Sequence, residues 1–173
     1  MRCPPIMARE SERLAVLAEY GLSSAHKLPS LDSVVRMAAD TFDMPAAAVN
    51  MVGSDHVYFA ASHGIGEVDM SRDVSFCAHA ITQDEVMVVP DATLDNRFHD
   101  NPLVTGKAGL RFYAGAPLMS PEGFALGALC VIDSNPRKDF SQEDRDRLRE
   151  LADMAAYRLE IHRGEIQSQK KTR

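Results

Sequence analysis

With 173 residues, 45% of them apolar and 25% charged, the chain suits one globular domain with a core large enough to fold unaided. A formal net charge of −6 argues against a nucleic-acid surface, which shows a basic patch or stripe. No stretch reaches the roughly 18 apolar residues of a membrane helix, and Met1-Arg-Cys-Pro-Pro lacks the apolar centre of a signal peptide.

In chain order, residues 1–8 read as a flexible N-terminus. Arg9–Tyr20 reads as a helix with Leu14, Leu17 and Ala18 on one side, stopped near Gly21. Ser30–Phe42 is a second helix, with Ser30 as N-cap and an apolar stripe of Leu31, Val34, Val35, Ala38 and Phe42. The apolar runs Ala46–Val52 and Val57–Ser62 flank Gly53-Ser-Asp55, a hairpin signal. Ser75 caps a short helix over Phe76–Thr82, and Glu85–Val89 is a strand ended by Pro90, which suits an edge or a strand exit. Leu94–Ala108 is too polar for a strand and reads as a long loop with helical turns; a loop of that length in a compact domain is usually functional or disordered. Arg111–Met119 and Phe124–Asp133 are two strands joined by the turn Ser120-Pro-Glu-Gly123. The second is almost continuously apolar, as a central strand buried on both faces would be. Ser141 with Asp144 forms an Asp variant of the capping box and opens a helix to about His162. The expected organisation is one domain over 9–163 with a basic tail over 164–173, Lys170–Arg173 being its solvated end.

The blocks Phe76-Cys-Ala-His79, Val89-Pro-Asp-Ala92, Arg111-Phe-Tyr-Ala-Gly-Ala-Pro-Leu118 and Gly127-Ala-Leu-Cys-Val-Ile-Asp133 follow one another in an order that resembles the ligand-sensing half of a GAF domain. The subgroup is the one found in bacterial sensor histidine kinases and cyclic-dinucleotide signalling proteins, and the likeness covers roughly Leu14 to His162. It implies an α+β fold of the profilin/PAS-like kind. A twisted antiparallel sheet of five or six strands would carry the terminal helices on one face and a ligand pocket on the other. Helices at both ends of a run of strands point to the same layers without the resemblance.

Cys77 and His79 form a Cys-x-His pair that could be metal ligands or a nucleophile with its base. Against the first, His26, His56, His63, His99 and His162 are scattered and offer no second ligand cluster; against the second, nothing places an orienting carboxylate. The reading preferred here packs Cys77 as a small apolar residue, with His79 bonded to backbone or lining the pocket. Asp91, Arg97, Asp100 and Asn101 sit in the loop that would roof the pocket. Arg97 or Arg111 could grip a carboxylate or phosphate through the guanidinium fork, or simply staple the loop to the sheet by pairing with Asp91 or Asp95. Asp91 and Asp133 follow apolar strands, where Asp commonly caps the next turn. Phe112 and Tyr113 must point to opposite faces of their strand. Phe76, His79, Asp91, Arg97, Phe112 and Tyr113 are therefore the candidate ligand-binding set. Cys130 is expected to be buried and inert, with no bound metal and no disulfide to Cys77.

Three GAF activities can be held against these residues. The Asn-Lys…Phe…Asp-Glu set of cyclic-nucleotide binders cannot be assembled. The segment Asn101–Leu110, where bilin-binding members carry their attachment Cys, has none. Cys77 lacks the neighbouring cysteines that free methionine-R-sulfoxide reductases use, which leaves a small Cys-dependent redox enzyme as the alternative to a sensor, beside a dimerisation module with a vestigial pocket. The resemblance thus implies a non-catalytic sensory module without a cofactor, binding an unidentified small molecule or a signalling partner. Its expected compartment is the cytoplasm, where thiols stay reduced. Its expected partners are a histidine kinase or cyclic-dinucleotide enzyme, a separate one if the initial Met marks a stand-alone chain. Met154, Tyr157 and Ile161 form a second apolar face on the last helix, which predicts a homodimer built on the terminal helices.

Overall fold

A computed structural model describes residues 1–66 and 70–172. Six antiparallel strands form one sheet in the order β3-β2-β1-β6-β5-β4. They are β1 (Ala46–Val52), β2 (His56–His63), β3 (Met70–Ser71), β4 (Met87–Val89), β5 (Phe112–Met119) and β6 (Ala125–Asp133). The helices are α1 (Glu10–Ala18), α2 (Asp32–Thr41), α3 (Phe76–Ala80), α4 (Pro102–Thr105) and α5 (Gln142–Lys171).

The central pair, β1 and β6, is buried on both faces, every residue of β1 being buried. Their apolar runs alternate between two cores. Ala47, Val49 and Met51 of β1, with Phe112, Ala114, Ala116 and Leu118 of β5, pack against α2 and α5. Ala48 and Val52, with Tyr113, Ala128 and Cys130, face α3 and the long loop instead. This is the period-two alternation of a strand. The α5 side of the first core is made by Leu148, Leu151, Ala152, Ala155 and Leu159, and each buried leucine contributes about 1.5–3 kcal/mol.

Local signals placed most element starts. The Ser141 hydroxyl accepts from Asp144 N–H and the Asp144 carboxylate from Ser141 N–H, at 3.1 and 2.9 Å, a complete capping box. Ser75 Oγ accepts from Ala78 N–H at 3.2 Å and opens α3. Among the described residues β4 pairs with β5 alone and lies at the sheet edge, where the missing N–H of Pro90 is harmless.

Two readings of the sequence need correction, and the structure adds two features to them. Ser30 does not cap α2: Pro29–Leu31 form a 3-10 turn that runs straight into it, without a side-chain cap, as a proline pre-set for the first turn allows. The last helix does not end near His162: α5 runs on to Lys171, so residues 164–171 of the basic tail are its last turns. Arg163 holds that end down, bonded to Glu19, Glu122 and Glu160 at 2.6–3.1 Å. β3 had no signal in the sequence, since a two-residue strand has too short a pattern to read. Within residues 1–8, expected to be flexible, Pro4 is buried and the Arg2 carbonyl lies 3.0 Å from His79 Nε2. No helix among the described residues is long and apolar enough to cross a membrane.

Candidate functional site

A cavity of about 450 Å³ lies on the face of the sheet opposite α2 and α5. Asn50 of β1, Phe59 of β2, Tyr113 of β5 and Cys130 of β6 form its floor, and Phe76 and Cys77 of α3 one wall. Leu103, Ala108 and Leu110 from the end of the long loop close another side. The composition is mainly apolar with a few converging polar groups, the mixture of small-molecule sites.

Asn50 sits where the β1–β2 register slips, Val49 pairing with Ala61 but Asn50 with Phe59. A bulge of this kind re-aims a side chain. Its Nδ2 donates to Cys77 Sγ at 3.1 Å and approaches Cys130 Sγ at 3.7 Å. Asn50 Oδ1 is buried and, among the described residues, has no hydrogen-bond partner, although the residue is only 6% exposed. Leaving such an acceptor unpaired costs about 1–3 kcal/mol.

The Tyr113 hydroxyl lies 3.0 Å from Cys77 Sγ. It gets there by crossing Gly115, where a Cβ would stand 2.2 Å from the Tyr113 oxygen; only glycine leaves this path open. The neighbouring Cys130 thiol, aided by the hydrogen bonds from Tyr113 and Asn50, draws the Cys77 thiol below its ordinary range despite burial. The nearness of Cys77, together with burial, holds Cys130 well above its own. Burial first, then the charge Cys77 would carry, raises Tyr113 likewise. The last two therefore keep their protons and donate.

The six candidate residues divide. Phe76 and Tyr113 line the cavity, their rings 5.4 Å apart. Phe112 does not: it faces the helical core and touches Phe140 at 5.4 Å, because strand alternation sends it opposite to Tyr113. His79 and Arg97 are close together but stand behind the wall. Phe98 stacks on Phe76 at 3.9 Å, and His79 meets Phe98 edge-on at 4.8 Å while Arg97 lies over it at 4.9 Å. Arg97 is engaged by both oxygens of Asp95, at 2.9–3.0 Å, so its fork is occupied by the loop itself. His79 is pulled below its usual range by burial and by the Arg97 charge, against the hydrogen bond to Arg2. Asp91 accepts from the Thr93 N–H at 3.0 Å and its hydroxyl at 2.6 Å, capping the turn Ala92–Leu94. Arg111 donates to the Val104 and Leu110 carbonyls and Asp133 pairs with Arg137, both structural uses.

Asn50 and Cys130 were not among the candidates. Asn50 carried a signal, a lone polar residue inside the apolar run Ala46–Val52. Cys130 carried none beyond being a cysteine in an apolar strand. Cys77, read as isolated, has Cys130 beside it, brought there by sheet pairing across the domain. Among the described residues no group of three or more His, Cys, Asp or Glu could hold a metal ion.

The model of the GAF domain matches residues 29–159. The chain belongs to the GAF domain family. Over 159 residues it is 38% identical to a Pseudomonas aeruginosa protein named as a cyclic di-GMP phosphodiesterase, covering 92% of this chain but only 27% of that protein. Among solved structures it is similar to a free methionine-R-sulfoxide reductase from Neisseria meningitidis, solved with its substrate (18% identity, TM-score 0.65, covering 90% of this chain and 88% of that one). It is also similar to a domain of a two-component sensor histidine kinase protein from Sinorhizobium meliloti (13% identity, TM-score 0.62, covering 81% and 95%). At such identities the likeness is one of fold, and what this GAF domain does rests on its own residues.

Proposed function

We propose that this GAF domain is a non-catalytic sensory module that binds a small molecule in the cavity and passes the effect on through its terminal helices. The observation that carries this reading is the apolar cavity whose floor includes Asn50, a residue with an unpartnered side-chain oxygen. Its occupant would be a compact, largely apolar molecule with one N–H or O–H directed at Asn50. A ligand shifts a conformational equilibrium only by its difference in affinity for the two states. Here the lever is β6, which carries Cys130 on the cavity side and Leu129 and Val131 on the helix side. A change of floor packing reaches the helical layer through one strand.

The output would go to a cyclic-dinucleotide enzyme or a histidine kinase, as the named relatives suggest, in the cytoplasm and with nucleic acid and membrane uninvolved. Met154, Tyr157 and Ile161 are 38%, 68% and 47% exposed along α5, and a homodimer would cover them while coupling two copies of the helix. Native mass spectrometry of freshly purified protein tests both points, ligand adduct and stoichiometry together. Compounds found this way should raise the melting temperature, and lose that effect in Asn50→Leu. Failure of any small molecule to bind or to stabilise the wild type would overturn the sensor reading. A monomer at high concentration would remove the dimer alone.

A further inference from the structure

We infer that Cys77 and Cys130 form a peroxide-reactive dithiol on the cavity floor, with Cys77 as the attacking sulfur and Cys130 as the resolving one. Two donors converge on Cys77 Sγ, the Asn50 Nδ2–H at 3.1 Å and the Tyr113 hydroxyl at 3.0 Å, and Cys130 stands beside it on the same amide nitrogen. A neutral thiol is a weak acceptor and has little use for two donors; a thiolate does. The proton order described above agrees with this geometry, Cys77 releasing first while Cys130 and Tyr113 retain theirs. Both sulfurs approach one amide nitrogen, at 3.1 and 3.7 Å, and both line the cavity, so a small oxidant entering there meets them together. Cys3, the remaining cysteine, is exposed and belongs to the N-terminal segment.

The chemistry balances with a hydroperoxide as oxidant. The Cys77 thiolate attacks the terminal oxygen of R–O–O–H, an S–O bond forms, the O–O bond breaks, and the departing RO⁻ takes up a proton to leave as ROH. Cys130 then loses its proton and attacks the Cys77 sulfur of the sulfenic acid. The S–S bond forms, the S–O bond breaks, and hydroxide leaves with that proton as water. Two thiols are oxidised to one disulfide while the peroxide is reduced to an alcohol and water. Joining β6 to α3 across the cavity floor would change the packing of the same strand that faces α5. The assignment does not depend on the cavity also binding a ligand.

The test uses the full chain carrying Cys3→Ser, exposed to equimolar hydrogen peroxide, blocked with N-ethylmaleimide and mapped without reductant. The expected result is a Cys77–Cys130 linked peptide, reversed by dithiothreitol, and in Cys130→Ser a dimedone adduct on Cys77. Tyr113→Phe, which removes one donor, should slow disulfide formation about tenfold, with Cys77 labelling by iodoacetamide shifted to higher pH. Both cysteines remaining free in the folded Cys3→Ser protein while methionines oxidise would overturn the proposal. So would dimedone capture on Cys130 rather than Cys77.

Discussion

Glu10→Gln tests how the N-terminal helix is fastened to the sheet. Glu10 lies in the first turn of α1 and accepts from Arg13 Nε and Nη2 at 3.0 and 2.8 Å; its carboxylate also pairs with Arg72. Arg13, 1% exposed, donates onward to the Val52 and Ala125 carbonyls at 2.8 and 3.3 Å. One carboxylate thus balances two buried guanidiniums where α1 meets the ends of β1 and β6. Burial alone would raise the Glu10 carboxyl, but hydrogen bonds and attraction from Arg13 and Arg72 outweigh it and take it from 4.5 down to about 2. That displacement is equivalent to about 3 kcal/mol at neutral pH, within reach of the ~3–5 kcal/mol seen when one partner of a buried pair is removed. A depressed carboxylate stabilises fully above its unfolded value and loses that contribution as pH falls through the folded one. The wild-type advantage over Glu10→Gln should therefore be whole above 4.5 and shrink towards about 2. Urea unfolding followed by circular dichroism, at neutral pH and in steps down to about pH 3, reads this directly. A deficit below about 0.5 kcal/mol at neutral pH, or one that stays constant through the acid range, would refute the reasoning.

Gly115→Ala places a methyl 2.2 Å from the Tyr113 oxygen; the ring must swing, costing about 1–3 kcal/mol and breaking its contact with Cys77, seen as slower alkylation of that thiol. Ser141→Ala removes one half of the capping box and should lower stability by about 1 kcal/mol without altering the cavity, checked by thermal unfolding. The His79 ring should titrate below 6.5 by NMR. Its contribution to stability is then complete above that value and falls away as pH drops, so a midpoint above 6.5 would contradict its burial.

The features legible in the sequence were those whose cause is local. The Ser141–Asp144 box, the Ser75 cap, the Gly53-Ser-Asp55 hairpin and the doubly buried run of β6 each depend on residues within a few positions of one another. The GAF family was legible too, through four short blocks in order. Tertiary structure decided what depends on phase and on distance along the chain. Alternation required Phe112 and Tyr113 to face opposite ways, but a period of two has no intrinsic phase, and only docking of α2 and α5 sent Phe112 to the helical core. Arg97 carried the right group for a ligand and was taken by Asp95 two residues away, while His79 was turned to the Arg2 carbonyl. Asn50, Cys77, Tyr113 and Cys130 come from four separate elements and meet only because β1, β6 and β5 pair in that order beneath α3. No periodicity records such a meeting, because hydrogen bonding between strands, not any pattern along them, sets which side chains share a floor.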